Sequence, residues 1–229
     1  MSAMMDSGHR PTTRSDADVN EQVEVSTCEG VGRWHVQRPA RRPRGQLLLG
    51  HGAGGGVEAA DLVALSDALP AAGVTVARFE QPWRVQGRKV ATPPPRLDAA
   101  WLDAVPAVRE QGVPLVAGGR SAGARVACRT ATQLDVQGVL ALAFPLHPPG
   151  RPDRSRASEL PTCPTLIVQG DRDAFGSAGD LATLGGDWEL CAIPGADHSF
   201  RVARSAPITG TEAMELIVIA VRRWITSVV

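Results

Sequence analysis

At 229 residues, with 43% apolar and 21% charged side chains, the chain is long enough to bury one substantial core without disulfide or metal support, and short for two full domains. Its formal net charge is zero, so it carries no overall electrostatic footprint for nucleic acid or for an acidic partner. Cys28, Cys128, Cys163 and Cys191 lie far apart, with no C-x-x-C pair and no histidines at ligand spacing, which predicts reduced thiols and no metal or other cofactor.

Residues 1–20 have the polar composition of a disordered lead and lack the apolar stretch of a secretory signal. No later run reaches the length of a membrane span, because the apolar segment near the C-terminus is interrupted by Glu215, Arg222 and Arg223. The expectation is a cytoplasmic monomer or homodimer without membrane or nucleic-acid partners, folded as one domain over residues 21–229.

Glu21 to Cys28 and Arg33 to Gln37 alternate in polarity around Glu29, Gly30, Val31 and Gly32, which predicts an antiparallel hairpin with a glycine-rich turn. From Gln46 the pattern changes. Strand-length apolar runs at Gln46 to Leu49, Val74 to Phe79, Pro114 to Ala117, Val139 to Phe144, Thr165 to Val168 and Leu190 to Ile193 suit parallel strands covered on both faces. Between them lie helical stretches at Glu58 to Ala71, Leu97 to Gln111, Ala122 to Leu134 and Ser177 to Leu184, with Thr211 to Ser227 closing the chain. This alternation predicts a three-layer, doubly wound α/β fold with a mainly parallel sheet led by the hairpin.

Gly119, Arg120, Ser121, Ala122 and Gly123 spell G-x-S-x-G between a predicted strand and a predicted helix. In such an elbow the flanking glycines let strand and helix approach without a Cβ clash, and the serine hydroxyl is presented above the sheet edge. A serine hydroxyl needs a base in hydrogen-bond reach and a third group to hold that base's tautomer. Candidates follow two later strands: Asp171 and Asp173 after Thr165 to Val168, and Asp197 and His198 after Leu190 to Ile193. All fall at the carboxyl edge of the sheet, where open α/β sheets place their sites. Asp197 adjoins His198 and reaches its ring poorly, while the Gly-x-x-Asp spacing favours Asp173 over Asp171. The predicted trio is Ser121, His198 and Asp173, in the chain order serine, aspartate, histidine.

Acyl transfer also needs N–H donors for an oxyanion. The amide of Ala122 supplies one, and the loop Gly50, His51, Gly52, Ala53, Gly54, Gly55, Gly56 supplies the other, with Ala53 favoured and Gly54 next. That loop lacks the G-x-x-x-x-G-K-[ST] ending of a phosphate cradle and the G-x-G-x-x-G spacing of a dinucleotide site. Two long loops carry arginines: Gln81 to Pro95 with Arg84 and Arg88, and Pro145 to Pro161 with Arg151, Arg154 and Arg156. Folded over the serine, Arg84 and Arg154 would favour an anionic substrate, whereas solvated basic loops contribute little. His147, held extended before Pro148, is read as pocket lining.

HGAGG, GGRSAGAR, QGDRDAFG and GADHSF together resemble the motifs of the α/β-hydrolase-fold family over about residues 45 to 225. FPLHPPGRP followed by PTLIVQGDRDAFG is similar to its capless branch, which includes testis-expressed protein 30 and the non-specific-lethal complex subunit 3, close to the dienelactone hydrolases. The resemblance implies Ser121 as nucleophile, Asp173 as acid, His198 as base and no cofactor. It implies a serine hydrolase acting on a small or exposed ester or thioester. The alternative is a non-catalytic binding or scaffold protein on the same fold. Two departures stand out: Ala122 occupies a position where a larger apolar residue is expected, and Pro145 to Pro161 is too short for a helical lid.

Overall fold

The computed structural model describes residues 21–229, and the expected disordered lead, residues 1–20, lies outside them. Eight strands form one sheet: β1 (Glu21–Thr27), β2 (Gly30–Gln37), β3 (Gly45–Gly50), β4 (Val74–Glu80), β5 (Leu115–Arg120), β6 (Gly138–Leu142), β7 (Thr165–Gly170) and β8 (Glu189–Ile193). Their spatial order is β1-β2-β4-β3-β5-β6-β7-β8. β1 and β2 pair antiparallel, as do β2 and β4, and every later pair is parallel. β3, β6 and β7 are buried at every position, which is what strands covered on both faces require.

Helices α1 (Ala60–Ala68), α2 (Pro82–Val85), α3 (Pro94–Ala104), α4 (Ala122–Leu134), α5 (Ala178–Leu184) and α6 (Gly210–Val228) complete the chain. One core joins Leu62 and Leu65 of α1 with Ile217, Val221 and Trp224 of α6. The other joins Trp101 of α3 and Ala127 of α4 with Trp34 and Phe79. Trp34 packs 4.8 Å from Phe79 and 5.4 Å from Trp101, and its indole N–H donates to the Ala104 carbonyl at 3.0 Å, so the antiparallel end is anchored to α3. Among the described residues no helix is long and apolar enough to cross a membrane.

The boundaries depart from the periodic pattern where proline or a special dihedral intervenes. α3 begins at Pro94, whose missing N–H costs nothing in a first turn, and gives way at Val105–Ala107 to a 3-10 turn containing Pro106, well short of Gln111. α1 stops before Pro70 for the same reason. The hairpin is tighter than predicted, because Gly30 takes φ 109° and starts β2 three residues before Arg33. β6 ends at Leu142 rather than Phe144, since Ala143 turns off the sheet at φ 46° with its N–H on the Val168 carbonyl. The short helix α2 was hidden in a segment read as loop. Pro145 to Pro161 holds two 3-10 turns and no lid helix.

Candidate active site

β5 runs directly into α4, and Ser121 sits at the junction with φ 53° and ψ −110°, a conformation L-residues avoid. Its backbone is held on both sides: the N–H donates to the Leu142 carbonyl at 2.9 Å, and the carbonyl accepts from Arg125 N at 3.1 Å. Crowding explains the two glycines. A Cβ on Gly123 would lie 2.1 Å from the Gly50 carbonyl oxygen, and one on Gly119 would lie 2.5 Å from the same atom. The close approach of β3 and α4 therefore stores a strained serine at the carboxyl edge of the sheet.

His198 follows β8 and brings its ring to this serine, Nε2 lying 2.9 Å from Ser121 Oγ. Its Nδ1 lies 2.7 Å from Asp173 Oδ2. A carboxylate only accepts, so Nδ1 carries the proton and Nε2 is left to accept from the serine hydroxyl. Asp173 is fixed by two further bonds, from Phe175 N to Oδ1 and from Gln169 Nε2 to Oδ2, each 2.8 Å, and its side chain is fully buried. Phe175 lies 4.2 Å from the imidazole at an interplanar angle of 31°, backing the ring. The rival acids are occupied elsewhere. Asp171 accepts from Gly195 N, and Asp197 accepts from Ser199 N and Arg201 N within its own loop.

The amide N–H groups of Ala53 and Ala122 make no hydrogen bond among the described residues, and both residues border one cleft. The N–H of Ala122 is also the first of α4, where the helix dipole favours negative charge. The Ala53 loop is set by a residue whose role the sequence did not disclose. His51 is buried, its Nδ1 donates to the Gly52 carbonyl at 2.8 Å, and its Nε2 accepts from Gln81 N at 3.2 Å. Burial pushes this imidazole below its ordinary range, so it stays neutral and keeps both bonds at pH 7. The cleft, about 270 Å3 including space open to solvent, is walled by Trp83, Ala91, Leu97 and Val126 beside Ala122. Trp83 and Ala91 both come from the long segment after β4.

The loop residues are placed differently from expectation. Arg84 pairs with Glu58 at 3.2 Å on the surface, and Arg154 is exposed in a 3-10 turn; neither side chain contacts Ser121, His198 or Asp173. Arg151 turns to Asp153, and Arg156 donates to the Pro145 carbonyl. His147 lies one layer out: its N–H donates to the Phe175 carbonyl and its Nδ1 to the Pro148 carbonyl, each at 2.9 Å. The loop is tied to α4 by Glu159, which accepts from Arg125 Nε at 2.7 Å and from Arg129 Nη1 at 2.9 Å. Gln169, which tethers Asp173, also escaped the sequence reading, although a glutamine at the end of an otherwise apolar strand run is the signal that could have found it.

A doubly wound sheet, a strained serine between strand and helix, and an acid and histidine on later strand ends define the α/β-hydrolase class of fold. The chain belongs to the alpha/beta hydrolase domain family, whose model matches residues 43–226. Among solved structures it is similar to an alpha-beta serine hydrolase homologue from Coxiella burnetii, with 19% identity, TM-score 0.70 and coverage of 90% of this chain and 99% of that one. It is similar to a lidless serine hydrolase from Xanthomonas campestris, with 23% identity, TM-score 0.65 and coverage of 92% and 96%. A dienelactone hydrolase from Anabaena variabilis has 20% identity, TM-score 0.70 and coverage of 93% and 99%. At these identities the likeness is one of fold. A comparison with curated proteins found no match.

Proposed function

We propose that this protein is a serine hydrolase that cleaves a small carboxylic ester or thioester through an acyl-enzyme on Ser121. The observation that carries the reading is the continuous hydrogen-bonded line from Ser121 Oγ through both nitrogens of His198 to Asp173, at 2.9 and 2.7 Å. Ser121 Oγ attacks the carbonyl carbon while His198 Nε2 takes the hydroxyl proton, and Asp173 stabilises the imidazolium without itself being protonated. The amides of Ala53 and Ala122 receive the oxyanion, a contribution of roughly 100- to 1000-fold per donor. Collapse of the tetrahedral intermediate breaks the bond to the leaving group, which departs with the proton from Nε2. A water then enters, gives its proton to the same nitrogen and attacks the acyl carbon, and a second collapse returns the proton to Ser121.

The shape of the cleft supports this choice of substrate class. The cleft is small, about 270 Å3 including space open to solvent, and Trp83, Leu97 and Val126 line it beside Ala122, which suits a short acyl chain. The absence of a lid helix in Pro145 to Pro161 suits a leaving group that remains in solvent.

Labelling with a fluorophosphonate probe is expected on folded wild-type protein and is expected to vanish in Ser121→Ala. In a panel of p-nitrophenyl esters, acetate and butyrate should turn over faster than decanoate, and His198→Ala should abolish the turnover. Folded wild-type protein that takes no label and hydrolyses none of the esters would instead identify a scaffold that keeps the fold.

A further inference from the structure

Position 120 lies inside G-x-S-x-G at a point where the elbow constrains only the main chain, yet its side chain is heavily committed. Arg120 Nε lies 3.1 Å from Asp61 Oδ2, and Arg120 Nη2 donates to the main-chain carbonyl of His198 at 2.8 Å. On its other side the guanidinium borders the oxyanion loop, since a Cβ on Gly52 would lie 3.6 Å from Arg120 Nη1 and 3.4 Å from Ser121 Cβ. One side chain thus touches the segment that carries the base and the segment that carries an oxyanion donor, and it is covalently next to the nucleophile.

Asp61 is an unusual partner. It stands in the first turn of α1, is only 3% exposed, and its Oδ2 makes no well-aligned hydrogen bond. Burial pushes its carboxyl above the ordinary carboxylate range, and Arg120 and the positive end of α1 pull against that. A buried ion pair of this kind gains little stability over apolar side chains of the same volume. Stability therefore does not account for the pair, whereas its contacts with the site do.

We propose that Arg120 and Asp61 are positioning residues for the base. Arg120 ties the His198 main chain to the elbow, and Asp61 holds Arg120 in place while supplying negative charge that favours the imidazolium formed when Ser121 is deprotonated. The inference rests on the serine-hydrolase reading above. Among the described residues, Asp173 pairs with His198 at Nδ1 and Arg120 at the main-chain carbonyl, Asp61 stands behind Arg120, and Asp197 precedes His198 in the chain with its carboxylate bonded within the loop. Removing Asp61 leaves the Arg120 cation uncompensated, so the imidazolium becomes harder to form. The transition state then loses stabilisation on the plateau.

The test measures kcat per fluorophosphonate-titrated site, KM and the pH profile for wild type, Asp61→Asn, Arg120→Gln and Arg120→Lys. Asp61→Asn should lower kcat about 10-fold with KM nearly unchanged, the pattern of an interaction realised in the transition state. It should also move the acidic limb of kcat/KM to lower pH, as loss of a nearby negative charge requires. Arg120→Gln should lower kcat per site by at least as much, with Arg120→Lys recovering part of it. If a single variant fails to fold, Asp61→Asn/Arg120→Gln leaves no unpaired buried charge and is read instead for the same loss in kcat per site. Wild-type kcat per site and an unmoved acidic limb, with only thermal stability reduced, would show a merely structural pair and overturn the inference. Failure of wild type to take the label would count against the hydrolase reading itself and is a separate outcome.

Discussion

Gly123→Ala isolates the crowding behind the Ser121 elbow. The added methyl would lie 2.1 Å from the Gly50 carbonyl oxygen and 2.3 Å from its carbon, both main-chain atoms of β3 that no rotamer change can move. Restoring an ordinary 3.4 Å contact from 2.1 Å requires α4 and β3 to separate by about 1.3 Å. Overpacking of this kind costs about 1–3 kcal/mol, and the helix preference for alanine returns up to about 1 kcal/mol. A net loss of about 1–2 kcal/mol in a chain of this length lowers Tm by roughly 2–8 °C. The effect on turnover should be larger in proportion. The separation pulls the Ala122 amide away from the Gly50 to Ala53 loop, and a 1 Å misplacement can cost about 100-fold in rate. The assay is hydrolysis of p-nitrophenyl butyrate alongside a melting curve. Gly210→Ala, where a Cβ meets nothing within 4 Å, serves as the control and should match wild type. Wild-type turnover and Tm in Gly123→Ala would refute the idea that backbone contact between β3 and α4 sets the elbow.

Asp173→Asn keeps the shape of the acid but can donate to His198 Nδ1, which favours the tautomer unable to accept the serine proton; kcat should fall about 10,000-fold with little change in Tm. His51→Phe keeps the ring and loses the bonds to Gly52 and Gln81, so kcat should fall about 10- to 100-fold as one oxyanion donor loosens, measured on titrated sites. Glu159 gives a pH test of stability. Burial pushes its carboxyl up, but Arg125 and Arg129 more than reverse this and leave it below the ordinary value of 4.5. A depressed folded value stabilises the protein above the unfolded value and ceases to do so as pH falls through the folded one. Glu159→Gln should therefore cost about 1 kcal/mol at pH 7, screening included, and the difference in Tm from wild type should close as pH drops below about 4.

What the sequence discloses and what it withholds divides along a physical line. The strand runs were legible because burial on both faces leaves no polar alternation, and the juxtaposition of Ser121, Asp173 and His198 was legible because each lies just past a strand end. Residues acting through tertiary contact carry no such mark. Arg120 and His198 stand 78 positions apart, and Asp61 reads as an ordinary acidic residue in a helical first turn. The arginines show the same limit from the other side. Two long loops carry arginines, and the condition that they fold over the serine made Arg84 and Arg154 candidates. Yet a guanidinium is spent by its nearest carboxylate, and sequence alone does not say where that carboxylate lies. Glu58 takes Arg84, and Glu159, from the very loop that carried Arg154, engages Arg125 and Arg129 of α4. Arg120, whose guanidinium reaches the His198 carbonyl, stands inside the motif, at the position where the pattern writes x.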